Sequence, residues 1–154
     1  MGKTNEKGSG TGKKIVHVYQ DGSTYRTVLT AGNHELTADE PERAGGKDMG
    51  PDPYDYLLMS LGSCTVITLR MYAERKGWPV EEIYMELRHF RDHAEDCVDC
   101  DDPSLKIDKI EKELVVKGDL DQDQVDRLLE ISNKCPVYRT LTGELEISST
   151  IEKR

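Results

Sequence analysis

Four cysteines, Cys64, Cys97, Cys100 and Cys135, are the residues of this chain best suited by type and spacing to do chemistry. A thiol reacts as its thiolate, so the charge around each cysteine ranks it as a nucleophile. Cys97 and Cys100 stand among Glu95, Asp96, Asp99, Asp101 and Asp102, whose negative field disfavours a thiolate. With His89 and His93 upstream, this Cys-x-x-Cys pair offers zinc donors, but no second such pair completes a set. An exposed acidic connection that carries two thiols, or a disulfide between them, accounts for the same residues, and no metal is assigned. Cys135 precedes Pro136 at a helix start, where unpaired amides favour a negative sulfur. The plain alternative is a small residue closing a helix. Cys64 falls in the middle of an apolar helix, where a cysteine commonly serves as a small core hydrophobe. Its neighbours Ser60, Gly62 and Ser63 are small as well, and they would open a pocket towards its sulfur.

The elements that must position these thiols follow an α+β order. From Lys14 onward, Ile15, His17 and Tyr19 alternate with Val16 and Val18 up to the turn pair Asp21-Gly22. Strands over 24–30 and 34–38 follow, joined by a turn at Ala31-Gly32-Asn33. The segment 40–50, with Pro41, Gly45 and Gly46, reads as a loop. Gly50-Pro51-Asp52-Pro53 is a helix start, with Asp52 as cap and Pro53 in the first position, where its missing N–H costs nothing. From Tyr56 to Tyr72 apolar residues run nearly all round the helix, which predicts burial on most sides, and Gly77-Trp78-Pro79 ends it. Ile83, Met85 and Leu87 open a strand towards His93, which the acidic stretch Glu95 to Asp102 interrupts. A return strand runs from about Leu105 to Lys117, and its irregular beat near Ile107 to Ile110 predicts a bulge. Asp121 with Gln124 forms a capping box for a helix reaching about Lys134, and a short helical turn starts at Cys135-Pro136. Leu145, Ile147 and Ile151 are in phase for a last strand over 144–151.

At 154 residues the chain is long enough for one domain with a core of its own, expected over 14–154, with residues 1–13 a disordered tail. Thirty acidic against 21 basic side chains give a formal charge of -9, and the cations are dispersed rather than gathered, which excludes nucleic acid and anionic membranes as partners. The first residues lack the apolar run of an export signal, so a cytoplasmic protein is expected. Tyr54 to Ala73 carries Asp55 and Arg70, which argues for a buried helix rather than a membrane span.

The run from Gly50-Pro51-Asp52-Pro53 through Ser60 and Gly62 to Cys64, followed later by Lys134-Cys135-Pro136-Val137, resembles the OsmC/Ohr family, and the order of strands and helices from about Lys14 to Ile151 is similar to it. The resemblance implies an OsmC-like fold with antiparallel strands around a central helix, an intertwined homodimer, and a two-cysteine peroxidase that reduces organic hydroperoxides or hydrogen peroxide without a prosthetic group. Cys64 would be the attacking thiolate and Cys135 the resolving thiol, with an external dithiol as reductant. The family's thiolate-stabilising arginine corresponds best to Arg26 and next to Arg139. Its glutamate column holds Tyr54 instead, with Asp55 the nearest carboxylate, and Tyr54 and Ser60 would line the substrate pocket. Because that activating pair is altered, a second reading keeps the fold as a small-molecule-binding protein with little turnover. A third gives His93, Cys97 and Cys100 a metal-handling role.

Overall fold

The computed structural model describes residues 13–93 and 106–153, which divide into two compact units on either side of Pro53. The first unit is a three-stranded antiparallel meander of β1 (His17–Tyr19), β2 (Thr27–Ala31) and β3 (His34–Ala38), in the order β1-β2-β3. Gly32, at φ +59°, makes the tight β2–β3 turn that an L-residue enters only with strain. Beyond β3, the 40–50 segment is a loop holding a single 3-10 turn at Glu42–Ala44, and it is organised by one side chain. Asp39 is buried, and its carboxylate accepts from the backbone N–H of Glu40 (2.8 Å), Lys47 and Met49 (both 3.2 Å). Gly46 lies so close to the Glu40 carbonyl that a Cβ would sit 1.8 Å from its oxygen.

The second unit contains the long helix α1 (Pro53–Lys76), the hairpin β4 (Val80–His93) and β5 (Lys106–Gly118), and the helices α2 (Gln122–Ser132) and α3 (Pro136–Thr142). Proline at the head of α1, the reciprocal capping box of Asp121 and Gln124 on α2, and Pro136 in the first position of α3 lie where the sequence puts them. Leu69, Tyr72 and Ala73 of α1 pack with Val80, Leu128 and Ile131 into the core, with Trp78, Ile83, Leu114 and Val116 around them. Arg70 fastens α1 to the start of β4 through the carbonyls of Val80 and Glu81. Gly62 is the point of closest approach, since a Cβ there would meet Leu87 Cδ1 at 2.8 Å. The small residue thus admits a β4 side chain and, with Ser63, also lines a groove, the kind of opening expected from these small residues in the sequence.

Three further expectations are corrected. Ile107 to Ile110 pair without interruption against Asp92 to His89, and the register shift lies instead between Val80 and Glu82. The inward phase of β5 is Ile110, Lys112, Leu114 and Val116, whereas Ile107 is exposed, so the beat marks a residue turned outward and no inserted one. Residues 144–151 form no strand, because an alternating pattern needs a partner ladder and Ile147 and Ile151 are 79% and 99% exposed. Helix α1 buries one side only within the chain, leaving Met59, Ile67 and Met71 exposed. Among the described residues no helix is long and apolar enough to cross a membrane. The expected tail, and Cys97 and Cys100 with the acidic stretch around them, lie outside the described residues.

Candidate active site

The two remaining cysteines come together from opposite ends of the second unit. Cys64 sits mid-helix on α1, partly exposed, and its carbonyl accepts from the Thr68 hydroxyl at 2.7 Å. Cys135 is the N-cap of α3 and is 0% exposed. Both are free thiols, and Thr65, the residue after Cys64, brings α1 against the Cys135 sulfur. The sulfur of Cys135 also accepts from the Tyr138 N–H at 3.3 Å, and it lies 3.4 Å from Thr65 Oγ1.

Thr65, buried beside it, has one hydroxyl proton and two acceptors, because the carbonyl of Leu61 is 2.8 Å away. With a thiol at Cys135, the S–H can point at the hydroxyl oxygen; with a thiolate, the hydroxyl can turn to the sulfur. Either charge state therefore finds a partner without movement of the backbone. Burial pushes the Cys135 thiol up, but the Thr65 hydroxyl, the Tyr138 N–H, the Cys64 thiol and the Lys112 ammonium together outweigh it and hold the thiol below its ordinary value.

Lys112 is the residue that sequence reasoning missed. It occupies an inward position of β5 between Ile110 and Leu114, directly across from Leu87. Its ammonium donates to Ser132 O (3.2 Å) and Asn133 Oδ1 (2.9 Å) and lies 4.8 Å from the Tyr138 ring centroid. A lysine in the apolar phase of a strand was the available signal. Arg139, one of the two arginines the sequence offered, is exposed on α3, and Arg26 is exposed at the bend before β2, with its backbone N–H bonded to the Thr24 hydroxyl.

Tyr54 and Asp55 occupy the first turn of α1. The Tyr54 ring stacks on His89 with centroids 4.5 Å apart and 18° between planes, and its hydroxyl accepts from Arg91 at 3.5 Å. His89 and Arg91 share Asp108 Oδ1, at 2.8 and 3.0 Å, and these two partners hold the Asp108 carboxyl below the usual carboxylate range. Tyr54 is thus engaged in a polar cluster, while Asp55 lines a groove of about 530 Å3 with Leu58, Met59, Gly62, Ser63, Val66, Met85 and Leu87. Ser60 is exposed on α1 and does not line this groove; its carbonyl accepts from the Ser63 hydroxyl.

The family model described as OsmC-like protein matches residues 45–150, which include both cysteines. The chain belongs to the OsmC-like family. No curated protein sequence matches it. Among solved structures, the OsmC-like protein of Mycoplasma pneumoniae superimposes with a TM-score of 0.68 at 18% identity, covering 86% of this chain and 89% of that one. The organic hydroperoxide resistance protein OsmC of Legionella pneumophila gives 0.63 at 15%, covering 88% and 93%, and the organic hydroperoxide resistance protein OhrB of Bacillus subtilis gives 0.56 at 18%, covering 87% and 93%. These likenesses establish the α+β fold as OsmC-like.

Proposed function

We propose that this OsmC-like protein is a two-cysteine peroxidase that reduces organic hydroperoxides. The observation that carries the reading is a pair of free thiols, one partly exposed and one buried, drawn together where Thr65, next to Cys64 on α1, lies 3.4 Å from the Cys135 sulfur. The names of the Legionella and Bacillus structures support the substrate class. Cys64, the reachable sulfur, attacks the terminal peroxide oxygen. The O–O bond breaks, an alcohol leaves, and Cys64 becomes a sulfenic acid. The Cys135 sulfur then attacks the Cys64 sulfur, hydroxide leaves as water, and the disulfide forms. An external dithiol returns both sulfurs to the reduced state, and the chemistry calls for no metal or prosthetic group. The exposed apolar residues Met59, Ile67 and Met71 support a second copy of the chain against α1, and the protein is read as cytoplasmic.

Replacement of Cys64 by Ser is expected to abolish hydroperoxide consumption, while Cys135→Ser accumulates a sulfenic acid that dimedone labels. Equal labelling of both variants removes Cys64 from the attacking role. A second reading, a small-molecule-binding protein, is favoured by the apolar groove beside Gly62 and Ser63. It predicts no hydroperoxide consumption beyond that of free dithiol, which an assay with lipoyl dithiol as reductant decides.

A further inference from the structure

Nothing in the peroxidase reading uses a second concavity of the same unit. It measures about 850 Å3, within the range of small-molecule sites, and lies between the C-terminal half of α1, the helix α2 and the head of α3. Its apolar wall is Met71 and Tyr72 of α1, Ile131 of α2 and Pro136 of α3. It shares no lining residue with the groove beside Gly62 and Ser63.

Three cations line this cavity: Arg75 in the last turn of α1, Arg127 on α2 and Lys134 in the turn before Cys135, with Glu74 the one carboxylate beside them. The chain carries a formal charge of -9 and its cations are dispersed along the sequence, so the fold reverses the sign locally. Arg127 is committed, donating from Nε to the Tyr72 hydroxyl at 3.2 Å and pairing with Glu130. Arg75 lies 5.5 Å from the Tyr72 ring centroid, and among the described residues neither it nor Lys134 has a carboxylate in ion-pair reach. The positive potential is felt at Tyr72, where the Arg127 hydrogen bond and then the charges of Arg127, Lys76 and Arg75 hold the phenol below its ordinary value against the effect of burial. Unpaired cations are ordinary on a surface; these converge from separate elements on one apolar wall that includes the buried Tyr72 and Ile131.

We infer that this cavity binds an amphipathic anion, a carboxylate on an apolar chain, with the chain against Met71, Tyr72 and Ile131 and the carboxylate taken by Arg75 and Lys134. The shape and the charge each exclude a rival class: an apolar wall gives a small inorganic anion little to bury, and the cations repel an amphipathic amine. The site is independent of the peroxidase reading, and its ligand needs no peroxide bond. Trp78, the single tryptophan of the chain, stands edge-on to Tyr72 with ring centroids 5.5 Å apart and 77° between planes, so its emission reports on the cavity wall.

The test is a titration of the reduced full chain at pH 7 with laurate, kept below its micellar concentration and without peroxide, followed by Trp78 emission and by equilibrium dialysis. Saturable binding of one laurate per chain is expected, about tenfold or more tighter than that of dodecanol or dodecyltrimethylammonium. Arg75→Gln and Lys134→Gln should each weaken it about tenfold, and the pair Arg75→Lys with Lys134→Arg should restore it. Both side chains are exposed, so the glutamine variants keep the fold, which an unchanged urea midpoint verifies. No saturable binding, equal binding of the three amphiphiles, or laurate binding unmoved by the double glutamine variant overturns the inference. Binding that falls as protein concentration rises, the mark of a second copy seated over Met71, overturns it as well.

Discussion

Thr65 is the most economical test of the site at the level of single residues. Val keeps its shape and removes its hydroxyl, so Thr65→Val deprives Cys135 of one of its donors, whereas Thr65→Ser keeps it. The valine variant should resolve its sulfenic acid about tenfold more slowly at pH 7 while the serine variant stays near wild type, as measured by stopped-flow reoxidation. The lowered pKa of Cys135 also sets a pH dependence. A thiol whose folded pKa lies below its unfolded one contributes stability that is complete above the ordinary value of about 8.5 and is lost as pH falls through the folded value. Reduced wild type should therefore gain on Cys135→Ser in urea midpoint between pH 6 and pH 9, and parallel curves would contradict the lowered pKa. Each thiol has a local signature in the sequence, small neighbours around Cys64 and a following proline at Cys135, but their pairing was readable only through the resemblance to the OsmC/Ohr family. Lys112 was not, because a charged side chain is assigned by default to the solvent face, and only the strand register shows that its phase is that of Leu114 and Val116.

Among the elements, the loop after β3 depends on Asp39. Its three backbone partners have no substitute, so Asp39→Ala should abolish hydrogen-exchange protection at the Lys47 and Met49 amides while leaving β4 and β5 protected. The carboxylate is buried, yet the Met49, Glu40 and Lys47 amides hold it below the usual range, so its contribution is present above about pH 3.9 and is lost as pH falls through the depressed value. In the same loop Gly46→Ala puts a Cβ against the Glu40 carbonyl and should cost about 1–3 kcal/mol by urea unfolding. Helix starts were readable because proline, aspartate and the Asp121–Gln124 box act within one turn of chain. The 144–151 segment was misjudged for the opposite reason: its alternation of Leu145 and Ile147 is local, but a strand exists only with a ladder partner, and none is paired to it among the described residues.

For the molecule as a whole, the sequence separated function classes through its charge and its cysteines, and the family match bears out the α+β fold. Association is the property a single chain does not carry. The apolar residues left open on α1, Met59, Ile67 and Met71, predict a homodimer, so light scattering should give twice the mass of one chain, and Met71→Glu should shift it towards the monomer. The central claim is that two sulfurs from α1 and the head of α3 oxidise together. Reduced protein treated with one equivalent of cumene hydroperoxide, alkylated and digested should yield the cross-linked peptides of Cys64 and Cys135 in proportion to the alcohol formed. Alcohol formation with both cysteines alkylated, or oxidation confined to Cys97 and Cys100, would contradict the account.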